Sequence, residues 1–567
     1  MASTSSRLPS RRKPPFTPRD FRSGEYDVIV LGGGHNGLVC AALFAQAGAH
    51  VVVLEARDRV GGCTDTSAPW PEHRDFKVNT YSYVAGLMPQ KLMRQLELDR
   101  HGLHVYPLGP YFQAYPDGRA LTLHEDPGHS HASIAQFSKK DADAYGRWEV
   151  WLGGIADVLW PLWLAPPPRL GSPRPRDVVD QLRLAWRARG LGVRGVADVT
   201  RLFTMSVTEI LDEWFESDDV KGLLANTAAL GAWAGPRSRG TAYVLFHLSM
   251  GDPGDGHMGG WGFVRGGMGG LAAACRRAAE AHGAEVRTGA QVEHILVEEG
   301  AVSGVALESG DELTAPIVSS TLHPRTTFLK LVDTTVLPTG FVADIERFKT
   351  RGGAVKINLA LSELPDFVAA PGKDVREHHT GSIELAFSPD YVQGAFDDAA
   401  SGRAAKRPIA DATIPSAQDD SLMPPGLHCM SVYSQWVPHG WVTKPHRKEL
   451  EAYADRVVDL YTELAPNLRD AVIARQVLGP YDMEQDLGLV GGNVYGGELS
   501  VDQLFHMRPA PGYADHSTPI RGLFNGSAGS HGGGGVSGIP GWQAFERAMR
   551  ERKRVAHHGR PVRPPVV

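Results

Sequence analysis

The chain is short of the residues that most metal knuckles and redox dithiols need. It has four cysteines, Cys40, Cys63, Cys275 and Cys429, and no two are spaced as C-x-x-C. That argues against a metal knuckle or a redox dithiol and suits a reducing compartment. A basic excess is also missing: 58 Lys and Arg stand against 64 Asp and Glu, a formal net charge of −6. Without a positive field to hold phosphate backbone, nucleic acid is not an expected partner. No uninterrupted apolar run reaches the roughly 18 residues that span a bilayer, and no secretory apolar segment opens the chain. No G-x-S-x-G turn occurs, so hydrolase chemistry has no nucleophile to name. With 42% hydrophobic and 22% charged residues, the composition is that of an ordinary globular protein.

Residues 1–23 are rich in Ser and Arg, and Asp20 is the first acid. That composition overlaps with a mitochondrial transit peptide, but Pro9, Pro14, Pro15 and Pro18 would break the amphipathic helix import requires. The segment reads as a flexible tail. A cytoplasmic location is expected, with the mitochondrial matrix or a membrane surface as alternatives.

The informative motif comes next. Tyr26 to Leu31 is an apolar, β-branched run that reads as a buried strand. It enters Gly32-Gly33-Gly34-His35-Asn36-Gly37 and then a helical pattern. This is G-x-G-x-x-G in the context that gives it meaning, a strand before and a helix after. Gly32 allows the tight turn, Gly34 lets backbone approach a pyrophosphate, and Gly37 lets helix pack closely on strand. The helix N-terminus offers unpaired N–H groups to phosphate. A second strand ends in Glu55, about where a carboxylate takes the ribose hydroxyls of an adenosine. Arg57, Arg59 and the Gly61-Gly62 pair follow, an extension typical of FAD-binding flavoproteins.

Beyond the tail, the chain resembles the phytoene desaturase/carotenoid isomerase branch of the FAD-dependent, amine-oxidase-like flavoproteins. The stretches that carry the resemblance include YDVIVLGGGHNGLVCAALFAQAG, GGWGFVRGGMGGLAAA, KINLALSELPDF, GGNVYGGELSVDQLFHMRP and GLFNGSAGSHGGGGVSG. The resemblance implies an α/β fold of two domains, a Rossmann-like FAD/NAD(P)-binding domain with an interleaved substrate domain. It places the cofactor domain at 24–95, 262–330 and 505–555, the substrate domain at 100–258 and 335–500, and a C-terminal tail at 556–567. Its cofactor is FAD, held by Gly32, Gly34, His35, Asn36, Gly37, Glu55, Arg57, Gly61 and Gly62. A strand near Val292 lies against the adenine, and the late loop supplies Gly526, Gly534, Gly535 and Val536. The resemblance assigns the stretch around Gly267-Met268-Gly269-Gly270-Leu271-Ala272 to the family's Gly-Gly-Met-x-x-Leu motif next to the flavin rather than to a second nucleotide site. A flavin disulfide reductase would need paired thiols, whereas Cys63 has no neighbour until Cys275.

The implied activity is a dehydrogenase or desaturase, in which an apolar substrate gives hydride to flavin N5 and oxygen or a quinone takes the electrons. A redox-neutral isomerase, an amine oxidase and a non-catalytic Rab-escort-like binder share the fold and stay open. His531 reads either as a proton relay beside the flavin or as a histidine that orders the Gly-rich loop. Lys356 reads as a group that polarises a substrate carbonyl or a water, or as an ion pair; Asn358 and Arg508 are further pocket candidates. The Trp-rich stretch 148–164, followed by Arg-rich sequence, reads as buried core or tunnel, with peripheral membrane contact as the alternative. His124, His129 and His131 read as a solvated loop, with no metal expected.

Overall fold

In Val28–Leu31 and Val51–Leu54 every side chain is buried, the pattern of parallel strands covered on both faces. A computed structural model, which describes residues 25–169, 173, 175–189, 192–251 and 260–558, shows why. The two strands pair in parallel at the centre of a five-stranded parallel sheet. The order across it is Leu523–Asn525, Val318–Ser320, Val28–Leu31, Val51–Leu54, Glu285–Arg287, so one sheet gathers strands from distant parts of the chain. The two-residue alternation divides the side chains cleanly. Val28, Val30, Val51 and Val53 pack beneath helices His35–Gln46, Met268–Ala281 and Ile539–His558. Ile29, Leu31, Val52 and Leu54 face the other way, against Ile295 and Val305 of a small antiparallel sheet and against Phe328 and Phe341. This is a Rossmann-like α/β fold.

A seven-stranded sheet forms the second layer, in the order Val472–Leu478, Ala354–Leu361, His428–Gln435, Ile409–Thr413, Ser382–Leu385, Tyr111–Ala114, Ala120–Leu123. Adjacent strands are antiparallel except for the Ser382–Leu385 and Tyr111–Ala114 pair. One face of Ala354–Leu361 carries Val355, Ile357, Leu359 and Leu361 into a core shared with helix Arg447–Leu464. The other face carries Lys356 and Asn358, which are buried as well. A third, helical layer contains Lys139–Trp163, Val207–Trp214, Asp218–Ala229 and Ala242–Leu248. Its core holds Trp148 and Trp163, with Trp151 and Trp160 packed at the edge, so the Trp-rich stretch is core. No helix of the described residues is long and apolar enough to cross a membrane.

Two local expectations are corrected. The stretch holding His129 and His131 is not a loop: Pro127–Ile134 is a helix, with Asp126 accepting from the Gly128 and His129 N–H groups as its cap. The final helix runs through His558, past the expected boundary at 555. The expected N-terminal tail lies outside the described residues.

Candidate functional site

At the C-terminal ends of the central strands, where Leu31 and Leu54 finish, lies a cavity of about 520 Å³. A doubly wound sheet places its ligand there. Gly32, Gly34, His35, Asn36, Glu55, Arg57, Gly62 and Val292 all line it. The three glycines of the first motif have different reasons to be glycine. Gly32 has φ +95°, a left-handed conformation that a side chain resists. At Gly37 a Cβ would stand 1.9 Å from the Gly32 carbonyl oxygen, so this residue sets how closely helix meets strand. Gly34 has neither constraint. Its φ of −72° suits any residue, and a Cβ there would meet no protein atom nearer than 3.9 Å. Only the cavity explains its bareness.

The polar groups around that cavity are held but not satisfied. Glu55 Oε2 accepts from the Gly33 N–H at 2.7 Å and Oε1 from the Arg57 N–H at 2.9 Å, which fixes the carboxylate at the strand end. Arg57 gives Nη2 to Asp65 at 2.9 Å, while its Nη1 is buried with no partner. His35 Nε2 and Asn36 Oδ1 are likewise buried and unpartnered. Burial pushes the His35 imidazole down to about 4, against the opposing pull of the Gly535 backbone. The first N–H groups of the His35–Gln46 helix have no intrahelical partner, as in any helix, and no side chain caps them. A bare backbone approach beside unpaired N–H donors is what a dinucleotide diphosphate requires.

Other expected residues act at one remove. Gly61 has φ +129° and donates its N–H to the Gly33 carbonyl at 2.9 Å, tying the 55–65 segment to the first turn. Gly526 is a packing position: a Cβ there would meet Thr321 at 3.2 Å and Ala544 at 3.3 Å. The cavity is lined instead by its successors Ser527, Ala528 and Gly529. The Gly534 carbonyl accepts from His247 Nε2 at 2.6 Å, whereas Gly535 and Val536 line a second cavity. At Met268 and Gly269 the N–H groups that a nucleotide turn would offer are taken by Asn79 Oδ1 and Thr66 Oγ1, both at 2.8 Å.

His531 does not lie where a proton relay would. It lines neither cavity, and its Nε2 sits 3.0 Å from both the Leu162 and Ala165 carbonyls. A nitrogen bonded to carbonyls carries its proton, so no lone pair is left there to accept one. Burial pushes this imidazole down to about 3. The residue ties the Gly-rich loop to the end of helix Lys139–Trp163; the catalytic reading is replaced by the structural one. Arg508 is structural too, its buried guanidinium donating to the Tyr495, Ala528 and Ser530 carbonyls at 2.9, 3.1 and 3.2 Å.

The second cavity, of about 200 Å³, shares His35, Cys63, Leu489, Gly496 and Ala528 with the first. Its walls are mostly apolar, Leu87, Leu108, Leu230, Leu248 and Trp261 among them. Lys356 reaches it from the seven-stranded sheet and donates to Asn358 Oδ1 at 2.9 Å and to Ser431. Burial pushes this ammonium down to about 7, the charges of Cys429 and Asp411 opposing. Asp411, Ser382, Tyr83 and Tyr433 also line the chamber, with Glu384 just behind. Burial raises the Asp411 carboxyl, and both burial and Asp411 raise that of Glu384. Sequence reading reached only Lys356 and Asn358 in this group. The available signal was the two-residue alternation in AVKINLAL, which sets Lys and Asn opposite an unbroken apolar face.

Comparison with known proteins agrees with this architecture. Residues 30–89 match the family model of the NAD(P)-binding Rossmann-like domain. The rat pyridine nucleotide-disulfide oxidoreductase domain-containing protein 2 is 36% identical over 555 residues, 94% of each chain. The chain belongs to that family. A lycopene-forming phytoene desaturase of Pseudescherichia vulneris is 24% identical over 530 residues, covering 90% of this chain and 96% of the desaturase. Among solved structures, cyclohexylamine oxidase from Brevibacterium oxydans IH-35A superposes with a TM-score of 0.56 at 16% identity, covering 94% of this chain and all of the oxidase, a likeness of fold. The family name's disulfide chemistry has no support in the thiols. All four cysteines are free, and burial pushes Cys63, the one lining both cavities, up to about 11.

Proposed function

We propose that the chain is an FAD-dependent oxidoreductase of the dehydrogenase or desaturase type that acts on an apolar organic substrate. The observation that carries this reading is Gly34, bare without conformational or packing cause, amid the unpartnered His35, Asn36 and Arg57 atoms of one cavity. Gly32, Gly34 and the first turn of the helix would hold the diphosphate, Glu55 the adenosine ribose, and the segment around Val292 the adenine. The shared lining residues would then bring the isoalloxazine to the mouth of the second cavity. FAD bound there supplies two-electron acceptance from a substrate C–H. The apolar walls exclude water and orient the substrate, and the loop at Gly535 and Val536 closes one side. In this reading the three parallel-sheet segments form the cofactor domain and the seven-stranded sheet with the helical layer forms the substrate domain. Oxygen or a quinone takes the electrons.

Amine oxidation fits less well, because the carboxyls of the chamber floor, Asp411 and Glu384, are already engaged by Tyr83, Ser382 and Asn226. A non-catalytic binder does not account for an intact glycine cradle. Peripheral membrane contact, if the protein makes one, belongs on Pro175–Arg189 and Gly192–Thr204 rather than on the Trp-rich stretch. There Leu182, Trp186 and Val193 are 63%, 73% and 91% exposed. The function is tested by anaerobic mixing of the FAD-loaded protein with alkenes, ketones and amines while flavin absorbance is followed. Bleaching by an apolar alkene or ketone supports the reading. Bleaching by amines alone replaces it with amine oxidation.

A further inference from the structure

The floor of the second cavity has a chemistry that an apolar substrate alone does not explain. Side chains of directly paired residues share a sheet face, and the register sets Lys356, Tyr433, Asp411 and Glu384 side by side across four strands. A second row, Asn358, Ser431, Thr413 and Ser382, lies beside it. The acids in the first row are already engaged. Asp411 accepts from Tyr83 Oη at 2.6 Å and is hydrogen-bonded to Ser382, and Glu384 accepts from Asn226 and lies 3.1 Å from the same Ser382 Oγ. Ser382 Oγ has one proton to give and faces two carboxyls, so one of them must carry the proton that completes the network.

The two remaining members of the row have donors to spare. Lys356 uses two of its three ammonium protons on Asn358 and Ser431. Tyr433 is 7% exposed, and its Oη has no hydrogen-bond partner. The neighbouring Gly231 N–H is given to Gln435, and the Tyr433 ring is held by stacking on Tyr83 at 6.0 Å. Adjacent donors therefore face a chamber whose walls offer little to accept them. A buried donor left unpaired is costly, and an occupant with an acceptor recovers that cost where a hydrocarbon does not.

We propose that the second cavity binds an apolar molecule by one oxygen acceptor, a carbonyl or a carboxylate, set against Lys356 Nζ and Tyr433 Oη. This rests on the oxidoreductase reading only in taking the occupant to be the substrate. It makes Tyr433 a specificity-determining residue and assigns Asp411 and Glu384 the supporting role of holding the floor.

Calorimetric titration of the full-length, FAD-loaded protein tests it, with methyl octyl ketone, decanoate, decylamine and decene as probes and Trp fluorescence as a second readout, since Trp261 lines the chamber. The ketone or the carboxylate should bind about tenfold or more tighter than decene or decylamine, and which of the two wins names the oxygen group. Tyr433→Phe, which keeps the ring, should weaken the winning probe by about tenfold and leave decene unchanged. Lys356→Met should do the same; if that variant does not fold, Tyr433→Phe carries the test alone. Oxygenated probes that bind no tighter than decene, a preference for decylamine, or a Tyr433→Phe protein with unaltered affinity would each overturn the proposal. The titration does not depend on flavin. Oxygen-selective binding lost in Tyr433→Phe by a protein that carries no FAD would sink the oxidoreductase reading and leave this one standing. A flavin-loaded protein without that selectivity would do the reverse.

Discussion

Gly34 and Gly37 stand three positions apart in one motif and answer to different physics, and substitution separates them. Gly34→Ala suits the backbone and meets only the Gly61 carbonyl oxygen, at an ordinary contact distance of 3.9 Å, so the apoprotein should melt within about a degree or two of wild type while FAD affinity falls at least tenfold. Gly37→Ala drives a methyl into the Gly32 carbonyl and should destabilise by about 1–3 kcal/mol or prevent folding. Thermal melts of the apo forms together with flavin titration check both. His531→Ala strips two buried carbonyls of their donor and should cost about 1–3 kcal/mol in denaturant unfolding with no change in the rate of flavin reduction. A slowed reduction rate at full FAD occupancy would restore the relay. The glycines were legible in the sequence because their spacing falls between an apolar β-branched run and a helical pattern, all within one short stretch. The direction of the His531 ring was not, because a motif places a residue along the chain and not against Leu162 and Ala165.

Lys356 links residue to element, since the strand Ala354–Leu361 is what buries it. Its ordinary value of 10.5 is pushed down to about 7 in the fold, so between those values the unfolded chain binds the extra proton. The contribution of Lys356 to stability should therefore rise as pH climbs from about 7 toward 10.5, and below 7 this group should contribute no slope. The groups facing it are Asp411, Cys429 and the Tyr83 ring; burial pushes the Cys429 thiol up from 9.0 to about 11, so above pH 9 it opposes the lysine, and the lysine's slope is read between about 7 and 9. Lys356→Met should flatten that part of the curve, as urea melts across the pH range would show. As an element, the first strand-turn-helix was readable because its periodicity and glycines agree. The polar floor was only half readable: alternation gives two faces, but no single strand reveals that Tyr433 and Asp411 line up beside Lys356.

At the scale of the whole molecule, two cavities share a wall and join a glycine-lined groove at the parallel-sheet ends to an apolar chamber. The Rossmann-like class was readable from the sequence, and the structure adds how the sheet collects its strands. The Trp-rich stretch misleads as a membrane signal because Trp148 and Trp163 find partners within the helical layer. If a lipid surface is touched, Trp186→Ser should reduce flotation with anionic vesicles and leave FAD content unaltered, whereas Trp148→Ser should lower stability instead. The most direct test of the central claim is the absorbance spectrum and released-cofactor analysis of the full-length protein, purified gently from flavin-replete cells. About one FAD per chain, lost in Gly34→Val, is the expected result; a colourless wild-type protein that takes up no added FAD would contradict it.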